Sequence, residues 1–426
     1  DEDLSMTGQA AWGRFLSTLS AWYAITGDPV LQQEITKMVG AFDQLDRLHP
    51  NRQQGMSVEF GLVQAYKLIR YEPALELAER LLARTRARQF REDGGFAGHF
   101  HGTTFKLLDM AELAMLTGDQ ELMEFVRRSY EFARSKGWPQ VGFYPEGIDQ
   151  QPPVQESCAF THLPKIVALL DRAGKGDYWD DVDSLVRNQM VENQLTDPSF
   201  LSSLAETIPN PIMAAPAGYD GTRQVGARLI GGFASYASLN DYFNPLMHAP
   251  GPIVGCCTGN GARALYYVWE QIVQERHGAL YVNLLLNRAS DLADIGSYIP
   301  YSGRVDVKMK RSMRLWVRLP GWVDSSQVNC TVEEQPLRLE WKGRYASPGR
   351  VEAGKVASFR FPISERSEQL AIGGVEARLV FRGSTVVDID PKGEYAPLYR
   401  GREKYRTGQA RMKMVQRFVP SRTIEW

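Results

Sequence analysis

The stretch Gly255-Cys256-Cys257-Thr258-Gly259-Asn260-Gly261-Ala262-Arg263 puts two of the chain's four cysteines side by side at the expected mouth of a helix. A third, Cys158, stands far upstream in Gln155-Glu156-Ser157-Cys158. Glu156, Cys158, Cys256 and Cys257 together offer one carboxylate and three thiols, a full tetrahedral ligand set for zinc if folding joins the two segments. Other readings stand beside it: free cysteines are often inert, buried small hydrophobes, and adjacent ones can form a vicinal disulfide or face apart. Cys330 is remote from these three.

A chain of 426 residues exceeds one compact core and should split into two or three domains. A formal charge of -1 gives no reason to expect nucleic acid or an anionic membrane as a partner. The basic run from Arg400 to Arg422 reads as a solvated tail. No apolar run approaches the roughly 18 residues that cross a bilayer, and no signal-peptide pattern opens the chain. It begins at Asp1 and passes almost at once into helical sequence, so an N-terminal piece is expected to be missing. Thiols kept reduced favour the cytoplasm, with export left open. A homodimer is left open as well.

From Gly8 to about Gln274, apolar residues recur at three-to-four spacing, and Ala10–Ile25, Pro29–Leu48, Ser57–Arg70 and Pro73–Thr85 read as successive helices. Thr26-Gly27-Asp28-Pro29 and Thr117-Gly118-Asp119 put Gly where a helix ends left-handed and Asp where the next needs an N-cap. Paired helices with short joints suggest either an alpha-solenoid or a closed toroid of helical hairpins, and the long irregular loops at 137–155 and 196–255 favour the toroid, an (alpha/alpha)6-type helical barrel over residues 1–277. Beyond His277 the period changes to two, in the runs beginning at Ala279, Arg304, Met313 and Ala357 and again over Leu379–Asp390. That predicts an antiparallel beta-sandwich over 278–426, ending in an irregular tail. Alternation would set Leu315, Val317 and Leu319 on one face and Arg314, Trp316 and Arg318 on the other.

The pattern Glu-x-Cys, then Cys-Cys-x-x-Asn with Arg263 three residues on, then Leu280-Tyr281-Val282-Asn283-Leu284, resembles the beta-L-arabinofuranosidases of glycoside hydrolase family 127. It covers nearly the whole chain. The family usually carries two prolines where this chain has Thr258-Gly259, which marks a divergent branch. What the resemblance implies is a retaining glycosidase acting at the non-reducing end of a small glycoside or oligosaccharide. Cys256 would be a zinc-bound thiolate nucleophile, with Glu156, Cys158 and Cys257 as the other ligands of Zn2+. Glu146, in Gly142-Phe143-Tyr144-Pro145-Glu146-Gly147, would be the acid/base, with Asp149 as its competitor. Its separation from Glu156 is shorter than the family's usual spacing.

His101-Gly102-Thr103-Thr104 fits the His-x-x-Thr turn in which members of that family carry a sugar-binding His, so the resemblance implies that role for His101, ahead of a helix that the sequence puts over Thr104–Leu116. By residue type alone, His99 and His101 read equally as a second metal site or a satisfied pair. Tyr242, before Asn244-Pro245-Leu246, maps to a tyrosine able to bond the sugar or the nucleophile. Where the family often has a histidine facing the sugar, this chain has Met56, Ser57, Val58 and Glu59, which weakens the case for L-arabinofuranose itself. Two rival functions remain: a polysaccharide lyase using Tyr242 with His99 or His101, and a carbohydrate-binding protein with a structural zinc.

Overall fold

The computed structural model describes residues 6–50, 57–199, 225–242, 253–410 and 419. Helices precede strands along the chain. By internal contacts the described residues divide into two units: those within 6–136 and 165–177 form one, and those within 137–164 and 178–419 the other. The change from helix to strand falls at Ile272/Val273, within the second unit.

The first unit is built from α1 (Met6–Thr26), α2 (Pro29–Leu48), α3 (Val58–Ile69), α4 (Glu72–Gln89), α5 (Phe100–Thr117) and α6 (Gln120–Ser135), with most of α7 (Leu163–Arg172). The joints follow the capping signals. Gly27 is left-handed at φ 68°, and the Asp28 carboxylate accepts the Val30 N–H at 2.9 Å, satisfying one of the donors a helix start leaves open. Gly118 and Asp119 repeat the device, Asp119 accepting from the N–H of Glu121 and of Leu122. Helix α5 starts four residues earlier than expected, so His101 lies in its first turn and not in a turn ahead of it. The helical bond from the Thr103 N–H to the His99 carbonyl, 3.2 Å, accounts for the early start.

Helices α1 and α3 meet backbone to backbone. A Cβ on Gly61 would lie 2.4 Å from the Gly13 carbonyl oxygen, and one on Gly13 1.8 Å from that of Ser57. Two ion pairs join α3 and α5: Lys106 bonds Glu59 in the interior, and the partly buried Lys67 bonds Glu112 at 3.0 Å, each partner offsetting the other's desolvation.

The second unit holds α8 (Trp179–Leu185), α9 (Val225–Leu229), α10 (Gly255–Ile272) and three sheets. The first runs β1 (Val273–Arg276), β2 (Ala279–Val282), β6 (Met313–Arg318), β10 (Tyr345–Val351), β9 (Glu340–Lys342). The second runs β3 (Arg288–Ala289), β4 (Ala293–Ser297), β5 (Arg304–Met309), β11 (Val356–Arg360), β7 (Asn329–Val332), β8 (Gln335–Leu337). A third contains β12 (Glu365–Ile372), β13 (Val375–Arg382) and β14 (Thr385–Asp390). Pairing is antiparallel except between β2 and β6. Val305, Val307, Leu315, Val317 and Phe359 are wholly buried at alternate positions, the pattern of packed sheet faces.

The alternate residues of β6 are covered as well: Trp316 packs with Ala279, Tyr281 and Tyr345, and the Arg318 guanidinium donates to Asp180 at 2.8 Å while only 3 % exposed. A central strand is covered on both sides wherever another element lies over it. One expectation needs correction: the basic run is not solvated throughout. Arg402 is buried, donating to Glu192 and to the carbonyls of Val386 and Arg187.

The α1–α3 crossing yields a stability test. Gly61→Ala should lower stability by about 1–3 kcal/mol or more, because backbone and not a flexible side chain stands in the way. Gly40→Ala on α2 meets open space and should be neutral or slightly stabilising. Comparing the two urea midpoints checks the claim.

Candidate metal centre and active site

Glu156 and Cys158 are held by a loop with little regular structure of its own. Gln155 exchanges two backbone hydrogen bonds of 2.9 Å with Ala237, and the Ser157 N–H reaches the Ala234 carbonyl at 3.3 Å. Turn bonds from Ala159 to Glu156 and from Thr161 to Cys158 finish the curl and direct both side chains inward.

Cys256 and Cys257 lie in the first turn of α10, whose N-cap is Val254. No sharp backbone turn between them is needed, since consecutive helical positions bring their sulfurs within 3.9 Å. The helix N-terminus favours negative charge on both. Thr258 Oγ1 accepts the Phe233 N–H at 3.3 Å, and a Cβ on Gly261 would meet the Phe233 ring at 2.3 Å, so α10 sits directly on the segment that also holds Gln155 and Ser157.

The four ligand atoms converge to within 4.8 Å of one another. Cys158 Sγ is 3.6 Å from Cys257 Sγ, and Glu156 Oε1 is 3.4 Å from Cys257 Sγ and 3.8 Å from Cys256 Sγ. None of these sulfurs is in a disulfide. The separations match the edges of a coordination tetrahedron, which for metal–sulfur bonds of about 2.3 Å and metal–oxygen bonds of about 2.1 Å are about 3.8 Å and about 3.6 Å. The residues present therefore fit a tetrahedral metal ion.

Burial divides the sulfurs. Cys158 and Cys257 are each 1 % exposed, whereas Cys256 is exposed. The hydrogen bond from Cys158 holds the Cys256 thiol down at about 6, against burial and the Glu156 charge, while the same bonding pushes Cys158 far up. Cys330 lies apart in β7, where burial pushes its thiol up to about 12.

Glu146 is half-buried in the loop before Glu156, with its N–H on the Val154 carbonyl at 2.8 Å. Its carboxylate lies within 4.8 Å of that of Glu156, which borders Cys256, whereas Asp149 is exposed. Tyr242 is 4 % exposed and belongs to an apolar cluster with Ile389, Leu398 and Tyr399. Burial, with a smaller effect from the Cys257 charge, pushes its hydroxyl up. His101 and His99 belong to the other unit. His101 is buried, with its ring stacked 6.1 Å from that of Phe105, and the exposed His99 N-caps α5 without a side-chain cap bond. Residue 56 lies outside the described residues.

One site residue carries no signal in the sequence. Tyr236 sits between the bonds that hold Ala234 and Ala237, and burial together with the charges of Glu146, Glu156, Cys257 and Cys256 pushes its phenol up to about 12. Its position depends on pairing with residue 155, which no local spacing encodes.

No protein-family model and no curated protein matches the sequence. Solved structures do match. The GH127 beta-L-arabinofuranosidase Ara127N from Geobacillus stearothermophilus T6 aligns at a TM-score of 0.58 and 16 % identity, over 91 % of this chain and 68 % of its own. The GH127 beta-arabinofuranosidase BT3674 aligns at 0.61 and 18 %, over 88 % and 63 %. A structure described as a glycoside hydrolase aligns at 0.61 and 16 %, over 87 % and 68 %. The chain shares their fold, helices followed by antiparallel sheets, and spans about two thirds of their length.

Two outcomes test this geometry. Brief treatment of the native protein with iodoacetamide should modify Cys256 roughly tenfold faster than the other three cysteines, since only an accessible thiolate alkylates. Mass-spectrometric label on Cys257 ahead of Cys256 would overturn the burial argument. Gly261→Ala should displace α10 from Phe233 and reduce metal uptake, read as metal content per chain, with helical circular dichroism retained.

Proposed function

We propose that the protein is a retaining glycosidase whose nucleophile is Cys256, in a zinc site completed by Glu156, Cys158 and Cys257, with Glu146 as acid/base. The substrate class is a non-reducing-end sugar such as beta-L-arabinofuranose on a small glycoside. One observation carries the reading: of three cysteines and a glutamate whose ligand atoms lie at tetrahedral distances, only Cys256 is an exposed residue, and the Glu146 carboxylate stands next to the group. The shared fold is consistent with it. A purely structural site would give no reason for one ligand to face outward.

Zinc, when bound, would keep the thiols deprotonated at neutral pH. In the first step Cys256 Sγ attacks the anomeric carbon as Glu146 gives its proton to the departing glycosidic oxygen, leaving a thioglycosyl enzyme. In the second step Glu146, now a carboxylate, takes a proton from water. The resulting hydroxide displaces Cys256 and completes a double inversion, which retains configuration. The sugar-contact roles that the resemblance gives to His101, His99 and Tyr242, and the division into a catalytic helical part and a sandwich part at 277/278, belong to the same proposal.

A panel of nitrophenyl furanosides and pyranosides, with the product anomer followed by proton NMR, tests it. Turnover with retention is expected, with about one zinc per chain by elemental analysis. Glu146→Gln should lower kcat roughly 10²- to 10⁴-fold, and least for the best leaving groups. Sugar binding that survives Glu146→Gln without turnover on any glycoside would favour a carbohydrate-binding protein. Product absorbance from a new double bond on uronate polymers would favour a lyase.

A further inference from the structure

The cluster contains one hydrogen bond that the proposed mechanism does not use. Asn260 lies on α10 three residues after Cys257 and four after Cys256, hence one turn along on the same face. Its Nδ2–H donates to Cys158 Sγ at 3.0 Å. Asn260 is 4 % exposed and Cys158 1 %, so water does not compete for either end.

We propose that Asn260 is a positioning residue that makes Cys158 the fixed sulfur of the site and so leaves Cys256 as the one free to react; this rests on the metal-thiolate reading above. Three thiolates and a carboxylate carry more negative charge than one divalent ion offsets, and a buried site of that kind needs donors around it. The amide N–H is such a donor, and it is spent on a sulfur that no substrate can reach. It withdraws charge from Cys158 and fixes the direction of the Cys158 lone pairs. Cys256, at the exposed edge, keeps its own charge for attack. Because Asn260 and the two adjacent cysteines share one helix turn, the helix that presents the nucleophile also anchors the ligand contributed by the distant loop.

The test uses the full chain loaded with cobalt(II), whose sulfur-to-metal charge-transfer band reports thiolate charge independently of activity. In Asn260→Leu, which keeps the volume and loses the N–H, the band should move to longer wavelength and metal affinity fall roughly 10- to 100-fold. Asn260→Ser, which retains a donor, should lie between the two. A merely structural asparagine would change affinity without moving the band, and an unmoved band in Asn260→Leu overturns the proposal. Should that variant fail to fold, cadmium-113-loaded wild type decides. A scalar coupling between the metal and an Asn260 side-chain amide proton detects the N–H···S bond directly, and its absence overturns the proposal. Wild type that shows no thiolate charge-transfer band with cobalt would instead sink the metal reading itself.

Discussion

The site depends on one short segment, residues 231–237, which acts as a clamp. One edge of it takes Gln155 and Ser157, and so carries Glu156 and Cys158. Its Phe233 N–H and ring take Thr258 and Gly261, and so carry Cys256 and Cys257. From the other side, Leu195 exchanges bonds with Gly231 and Gly232, and the Ala234 N–H reaches the Asn193 carbonyl. Two ligand-bearing stretches about a hundred residues apart meet because both are bonded to this third one. Backbone bonds are well suited to such a clamp, because buried N–H and C=O groups must be paired in any case. Register is thereby fixed without calling on the side chains that do the chemistry.

The clamp has its own support. Just beyond it, Asp241 accepts the N–H groups of Tyr395 and Ala396, the Leu398 N–H reaches the Asn240 carbonyl, and Tyr242 bonds Ala396. Those partners follow β14, and Leu379, Phe381, Val386 and Ile389 of the third sheet share an apolar cluster with Ala234, Ala237 and Tyr242. The strand region therefore contributes rigidity to the segment that positions the ligands. That bears on the proposed chemistry, in which a reactive sulfur and its acid must hold their geometry to a fraction of an ångström.

How much of this the sequence displayed follows from the range of each interaction. Gly27-Asp28-Pro29 and Gly118-Asp119 are local devices whose chemistry acts within a few residues, so the helix joints are readable. The alternation in β5 and β6 is likewise local. That Trp316 and Arg318 are covered is not readable in the same way, because what covers them, Asp180 in the case of Arg318, lies far away in sequence. The ligand set is legible from residue type, since carboxylate and thiolate are what a tetrahedral site needs. Tyr236 and the clamp are not, because residues 233–237 gain their meaning only from pairing with 155–157 and 258–261.

Position 258, where the glycoside hydrolase pattern that the sequence resembles has proline, shows how a helix start can be held by other means. Proline there would fix φ and remove the N–H, stiffening the start of α10 through the ring. Threonine does neither. Its N–H makes the 3.2 Å bond to the Val254 carbonyl that closes the first turn, and its hydroxyl accepts the Phe233 N–H. Neither bond is open to proline. Stiffness that a ring would supply within the helix is replaced here by bonds that tie the helix to the clamp, so Cys256 and Cys257 are placed relative to Glu156 and Cys158 by direct attachment. Gly261 completes the arrangement, since only a residue without a side chain lets the Phe233 ring come this close to the helix one turn further on.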